Sequence, residues 1–492
     1  MSDPSQINLP IHTALTSDMM LGLKPSAPKS RSYRLSVPPV NGSTFIGGQQ
    51  VIFECPTGRR NTWCDQSQSF LKFSVQCTTT TASPQSSTGS SGVYLDNTAY
   101  SFLQRLDVYN SSNLLETINE YGQLANFLID TSLTQSDKAG LSAMIGTNPY
   151  TTVITTGAAY ANNTVLNTVQ VAGDRSGLNI ATTTSFTTAI PYTFSLPILS
   201  GVVGVNASKM LPVGKLSSPI RLEFYLANND DAIYYGTAGA GAKWQLVNVE
   251  LCLCYVEIQD DSFNLGNDID YISTTTFRQA STTLPYNTSG EYTSLLPFRA
   301  ASITALYGRF RPYATAVQGA NATAQYRKGT SISPNFSSIY FRVGSSVYPN
   351  KPIYLLSSST GTGSEAMAEL FKSFHALSSS IGNSSINYQN YNVAATATLG
   401  FAAIAAPATQ VTANNSNNAF AIGLECQSFS NRNDTILSGI STLNSQIYFT
   451  ANIYTGLVAG DSTLQLNYTC DFFSQMDMIL VIDENGVMSA KF

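Results

Sequence analysis

The chain has 492 residues, of which only 11% are Asp, Glu, Lys or Arg, with a formal net charge of −5 and a pI near 5.1. At ~100–200 residues per domain that length asks for more than one core, and the acidic balance argues against a body that binds nucleic acid by neutralising phosphates. With ~25% charged residues usual in soluble domains, a surface this uncharged has to be Ser, Thr, Asn and Gln or be covered by another protein.

Residues 1–40 carry Pro4, Pro10, Pro25, Pro28, Pro38 and Pro39 without helical or strand periodicity, which predicts an extended arm. Lys24, Lys29, Arg31 and Arg34 make it basic enough to touch an acidic partner. No charged segment followed by an apolar one opens the chain, so synthesis in a reducing cytosol is expected, and the triplets Asn206-Ala-Ser208 and Asn433-Asp-Thr435 carry little weight as glycosylation signals.

The first firm strand is LKFSVQC, where Leu71, Phe73, Val75 and Cys77 alternate with Lys72, Ser74 and Gln76. RLDVY, a turn at Asn110-Ser-Ser-Asn113 and LLETI then read as a hairpin. Asn119 is placed to cap a helix whose apolar face is Tyr121, Leu124, Ala125 and Leu128, and a shorter helix from Ser136 to Ile145 ends at Gly146. Thr151 to Ala189 lacks periodicity and reads as a long excursion. Strands resume with YTFSLPILSGVVG, LPVGKLSSPIRLEFYLA and WQLVNVELCLCYVEI.

The second half repeats this order. IYFRVGSSVYPNKPIYLL is again strand, turn, strand, followed by a helix capped by Ser364 with Met367, Leu370, Phe371 and Phe374 on one face. After a loose stretch from Ser378 to Ala419, Leu443-x-Ser445-x-Ile447-x-Phe449 matches Leu216-x-Ser218-x-Ile220-x-Leu222 at an offset of 227. The helix caps Asn119 and Ser364 lie 245 apart and the expected strand starts Leu246 and Leu464 lie 218 apart. Offsets that fall in order are what two copies with different loop lengths would give. The expected fold is all-β: two tandem eight-stranded antiparallel jelly rolls with short helices and long loops, because an up-and-down barrel would need short, even spacing. The expected division is an arm at 1–40, one roll at 41–262, a linker region at 263–290 and the second roll at 291–492. The recurring helix is expected to cover an end or edge of its roll.

Residues that could carry chemistry are few. His12 and His375 are the two histidines, and neither has a visible carboxylate partner for nucleophilic catalysis. Seven cysteines at irregular spacing (Cys55, Cys64, Cys77, Cys252, Cys254, Cys426, Cys470) make no disulfide framework, and Cys252-x-Cys254 in a strand reads as core rather than as half a metal site. Asp260-Asp261 and Asn229-Asp230-Asp231 lack cation-loop spacing, and GTAGAGAK at 236–243 is followed by Trp244 where a phosphate loop needs Ser or Thr. ATATLGFAAIAAPA at 395–408 is broken by Gly400 and falls short of the ~20 residues of a membrane span. No catalytic, cofactor or metal residue is assigned.

Phe102-Leu-Gln-Arg-Leu-Asp-Val with Leu115-Glu-Thr-Ile-Asn-Glu-Tyr121, and Met210-Leu-Pro-Val-Gly-Lys-Leu216 leading into Pro219-Ile-Arg-Leu-Glu-Phe224, resemble the double jelly-roll major capsid proteins of tailless icosahedral double-stranded DNA viruses, of polinton-like virus and virophage type. Leu295-Leu-Pro-Phe-Arg-Ala-Ala-Ser-Ile303 is similar. The resemblance implies a structural protein of the virion shell, made in the host cytoplasm or a viral factory. It implies a homotrimer whose six rolls form a pseudo-hexagonal capsomer, capsomer–capsomer contacts, penton and minor capsid partners, no cofactor, no sequence-specific nucleic-acid binding and no membrane span. A trimeric receptor-binding or fibre protein is the alternative, followed by a glycan-active enzyme in which Glu223, Glu250 and Glu257 converge.

Overall fold

The computed structural model describes residues 28–57, 60–80, 82, 93–147, 176–207, 209–235, 241–259, 268–285, 290–312, 329, 331, 336–355, 363–374, 384–386, 391, 419–427, 437–453 and 468–492. Its first half contains β1 (Ser30–Val37), β2 (Thr44–Ile46), β3 (Gln50–Cys55), β4 (Thr62–Thr78), β5 (Val93–Asp96), β6 (Leu103–Asn110), β7 (Asn113–Asn119), β8 (Ser176–Ile180), β9 (Tyr192–Pro197), β10 (Ile220–Leu226), β11 (Ile233–Tyr235) and β12 (Lys243–Ile258). The second half contains β13 (Asp270–Leu284), β14 (Gly290–Leu296), β15 (Ile303–Pro312), β16 (Phe336–Val343), β17 (Ser346–Tyr354), β18 (Ala421–Glu425), β19 (Ile447–Ile453), β20 (Tyr468–Ile482) and β21 (Met488–Lys491). The described α-helices are α1 (Tyr121–Ser132), α2 (Gln135–Gly140), α3 (Ser142–Ile145), α4 (Asn229–Ala232) and α5 (Ser364–Ser373), with 3-10 turns at Ala99–Phe102 and Phe186–Thr188.

In the first half β1-β12-β4-β9 form one sheet, with β2 added beside β12, and β3-β10-β6-β7 form the other. The second half has β13-β20-β15-β18, with β21 on β20, and β14-β19-β16-β17. Numbering the eight principal strands of each half in chain order, both halves read 1-8-3-6 and 2-7-4-5, with every ladder antiparallel. Each half is a jelly roll. Equivalent strands begin 240 residues apart at Ser30 and Asp270, 233 apart at Leu103 and Phe336, and 225 apart at Lys243 and Tyr468, which is the falling offset the sequence repeat implied.

Alternation makes the sandwiches. On β4, Leu71, Phe73, Val75 and Cys77 are buried, and on β10 so are Ile220, Leu222, Phe224 and Leu226. In the first core Phe102 meets Trp244 edge-on at 4.7 Å and Phe73 at 6.1 Å. In the second, Phe310 contacts Phe336 at 4.8 Å while Phe449 contacts Phe472 at 4.9 Å. Edge-to-face rings gain about 0.5–1.5 kcal/mol per pair beyond the area they bury.

Four expectations are corrected. Ser30–Val37 is not arm but the first strand of the first roll, held by the β12 ladder from Ser30↔Ile258 to Val37↔Leu251; Tyr33, Leu35 and Val37 supply the alternation that the neighbouring prolines masked. The stretch 263–290 is likewise not all linker, because β13 opens the second roll at Asp270 and pairs with β20 along its whole length. The excursion read at 151–189 lies outside the described residues up to 175, but Ser176–Ile180 is a strand that pairs with β5, which pairs in turn with β11. Asn119 does not cap α1, since it still pairs with Arg105; the chain turns through left-handed Glu120 (φ 49°), whose carboxylate accepts from Gln104 and Gln123.

Smaller differences concern the other caps. The Ser136–Ile145 helix is two helices, opened by a Thr134–Asp137 capping box and closed by Gly146 at φ 74°, while α5 begins at Ser364 after left-handed Gly363. His12, Lys24, His375, Asp260, Asp261, Leu464 and the stretch 395–408 lie outside the described residues.

Candidate functional site

Among the described residues no group of three His, Cys, Asp or Glu could hold a metal ion. Cys252 and Cys254 lie two residues apart on β12, Cys252 buried and Cys254 half-buried. Arg34 donates to Cys252 Sγ at 2.8 Å and lies 4.8 Å over the Phe70 ring, while Ser32 sits 3.6 Å from Cys254 Sγ. Part of the basic cluster of the N-terminal stretch is therefore spent on the sheet itself. Glu223, Glu250 and Glu257 do not converge: Glu223 is on β10 in one sheet, and the other two are on β12 in the opposite sheet. Glu223 is taken by Arg221 at 2.8 Å and Gln50 at 2.6 Å, and Glu250 by Ser36 at 2.9 Å and Lys72 at 3.3 Å. Asn229 to Asp231 belong to the short helix α4. A small cleft between Asp96, Gln104, Glu120, Gln123 and Gly329 has room for a water-sized guest, far from the ~300 Å³ a small-molecule site needs.

Polar groups instead gather at the seam between the two rolls. The carboxylate of Glu116, on β7, is fully buried and accepts from Ser200 Oγ, from the Gly201 amide at 3.1 Å and from Thr276 Oγ1 of the second roll at 2.5 Å. Burial pushes its pKa up from the usual 4.5, and the hydroxyl and amide donors offset part of that rise. Thr274 Oγ1 adds bonds to the carbonyls of Gly201 at 2.9 Å and Asn206 at 3.0 Å.

Helix α1 wedges into the same seam. Phe127 packs edge-on to Tyr307 and Phe374 of the second roll, both at 5.5 Å. Arg309 on β15, itself buried, donates to the Gln123 carbonyl at 3.2 Å and to the Gly329 carbonyl at 2.5 Å. Asp130 binds Lys138 at 2.6 Å in a buried pair, and its carbonyl accepts from the Ser385 amide at 3.0 Å. In the second roll α5 packs on the edge strand β18, whereas in the first α1 packs beside β6 and joins the two rolls.

The far end of the seam is a clasp around the C-terminal turn. Asn110 Oδ1 accepts from the Met488 amide at 2.9 Å, and Asn113 Nδ2 donates to the Met488 carbonyl at 3.2 Å. The Gly486 carbonyl accepts from the Ser217 amide at 3.0 Å. Gly486 has φ 72°, and a Cβ there would come within 2.3 Å of the Lys215 carbonyl, so only glycine lets the turn close on the first roll. Lys215 reaches across to Asp270 at 2.7 Å. Sequence pattern marked Asn110 to Asn113 as a turn, but nothing local in it points to a partner almost 400 residues away.

This arrangement of two rolls spans whole chains of known structure. The chain is similar to the mavirus major capsid protein with TM-score 0.53 at 11% identity, over 100% of this chain and 95% of that one. It is similar to a chain of the Sputnik virophage with TM-score 0.55 at 13% identity, over 97% and 92%. The Faustovirus major capsid protein gives TM-score 0.54 at 9% identity, over 95% and 93%. The fold is a double jelly roll. No known family model and no curated protein matches the chain by sequence.

Proposed function

We propose that this chain is the major capsid protein of an icosahedral virus and forms trimeric, pseudo-hexagonal capsomers. The observation that carries the proposal is the repeated strand order in one chain: three copies present six equivalent sandwiches, the number that fills a hexagonal outline under closed threefold symmetry. The whole-chain likeness to the mavirus and Faustovirus capsid proteins supports the same reading. So does the chemistry. The three glutamates of the glycan-enzyme alternative share no site, and two buried charged groups, Glu116 and Arg309, are used to fasten one roll to the other. The proposed setting is the virion shell, with penton and minor capsid proteins as further partners.

Light scattering on the purified chain tests the reading. A trimer, at three times the 52.8 kDa chain mass, is expected; a stable monomer or dimer overturns it. A trimer that never tiles under any assembly condition, yet binds host cells, would instead support the receptor-binding alternative.

A further inference from the structure

The stretch of β13 at 270–276, paired with 476–482 of β20, has one face closed and one face open. On the closed face Ile272, Thr274, Met478 and Leu480 are buried, and the Thr274 hydroxyl donates to the Gly201 and Asn206 carbonyls of the seam. The ladder pairs Tyr271 with Val481 and Ser273 with Ile479, so these four side chains share the other face. β21 extends that face, with Ser489 beside Val481 and Lys491 beside Ile479. Tyr271 is 65% exposed, Ser273 and Ser489 are exposed, and Ile479 and Val481 are half-buried.

Apolar residues flank this face at both ends. Ile269, directly ahead of β13, is 46% exposed. Leu437 is 43% exposed, and its amide donates to the carboxylate of Asp477, the next β20 residue on the same face. Lone exposed apolar side chains are ordinary on any surface, but Ile269, Tyr271, Ile479, Val481 and Leu437 follow one another along a single sheet face, which marks a docking surface. Its rim is polar: Asp268 is exposed beside Ile269, and Lys215 holds Asp270 at 2.7 Å.

A cover of matching chemistry lies within reach in the same chain. β1 begins at Ser30, and the Lys29 carbonyl accepts from the Gln259 amide at 2.9 Å, so the residues ahead of Lys29 leave from the edge of the first roll. From β1 the pairs Tyr33↔Tyr255, Tyr255↔Cys64 and Cys64↔Leu211 lead to the segment whose Lys215 holds Asp270. Three interstrand steps of ~4.8 Å and one extended lysine make that path roughly 20–25 Å. Ahead of Lys29 the sequence reads Met19-Met20-Leu21-Gly22-Leu23-Lys24, and six to ten extended residues span about 20–35 Å.

We propose that residues 19–23 dock on the open face of β13 and β20 of their own chain, against Tyr271, Ile479 and Val481, with Lys24 paired to Asp268. Unbranched methionine and leucine side chains adapt to a shallow sheet face, and the lysine that follows them meets an acid at its rim. The docked run ties the edge of the first roll to the second roll, on the face of the sheet opposite to the Thr274 bonds. Lys24 then finds its acidic partner within the chain. The proposal does not depend on the capsid reading.

Limited thermolysin digestion of the full-length protein tests it, with cleavage between Gly22 and Leu23 followed by mass spectrometry. Tyr271→Asp is expected to speed that cleavage about tenfold or more over the unaltered chain, because a docked segment is cut through its open state. Tyr271→Phe, which keeps the apolar ring, is expected to leave the rate unchanged. Leu21→Asp places the same charge in the arm, outside both rolls, and is expected to reproduce the loss of protection even if Tyr271→Asp fails to fold. The proposal falls if the unaltered chain is cut as fast as Leu21→Asp. It also falls if protection disappears when the unaltered protein is diluted to single chains, which would put the arm on a neighbouring copy.

Discussion

The outer faces of the two 2-7-4-5 sheets share a backbone and differ in chemistry. In the first roll, Arg105, Asp107 and Tyr109 on β6 stand opposite Tyr225, Glu223 and Arg221 on β10, so the same Arg-x-acid-x-Tyr pattern meets itself head to tail. Each arginine covers the other strand's tyrosine, at 5.0 and 4.8 Å, and Asp107 is bound by both Arg105 nitrogens at 2.8 and 2.5 Å. In the second roll the same register positions hold Ser338, Tyr340 and Arg342 against Asn452, Thr450 and Tyr448. The carboxylates are gone, and Ser338 and Asn452 hydrogen-bond to each other at 3.0 Å. One cation–π contact survives with its partners exchanged between strands, Arg342 over Tyr448 at 4.7 Å against Arg221 over Tyr109 at 4.8 Å. The inward alternation fixes the jelly roll, and the outward positions are free to diverge in all but size and stacking.

That difference can be broken in graded steps. The largest effect is expected at Asp471, a fully buried carboxylate of the second roll that takes Arg311 at 2.6 Å and Ser281 at 2.6 Å. Asp471→Ala strands a mostly buried guanidinium and is expected to cost about 3–5 kcal/mol in denaturant melts. A cost under about 1 kcal/mol would show that the pair is not structurally required. Asp107→Ala in the first roll is expected to cost less, about 1–3 kcal/mol, because Arg105 stays nearly half in water.

A smaller, pH-dependent effect is expected at the seam. The Glu116 carboxyl binds its proton more tightly in the folded protein than in the unfolded chain, so its contribution to stability is greatest in acid and declines as pH rises from about 4.5 through the raised value. Glu116→Gln is expected to flatten that part of the stability–pH curve. An unchanged slope in the variant would mean that the carboxyl titrates alike in the folded and the unfolded chain. The smallest effect is the coupling of Arg342 with Tyr448, about 0.5–1 kcal/mol in a double-mutant cycle and equal to that of Arg221 with Tyr109. Unequal couplings would make the exchanged pairs a coincidence of geometry.

How much of this was written in the sequence differs by level. The two-unit fold was legible because period-2 alternation and the order strand, turn, strand, helix survive divergence; the match of Leu216 to Leu443 holds at the offset of 227 that also separates β10 from β19. The edges of the units were not. Prolines around Ser30–Val37 hid a strand that exists through pairing with β12, more than 200 residues away. The seam was invisible for the same reason. Glu116 reads locally as an ordinary outward residue of a hairpin strand, and only the fold brings it to Thr276. Asn110 and Asn113 were legible as turn residues but not as a clasp.

Negative-stain class averages of the purified protein test the central claim most directly. Trimers with a hexagonal outline made of six equal densities are predicted, as two like rolls per chain require. Particles with a plain threefold outline, or single bilobed chains at micromolar concentration, would contradict the account.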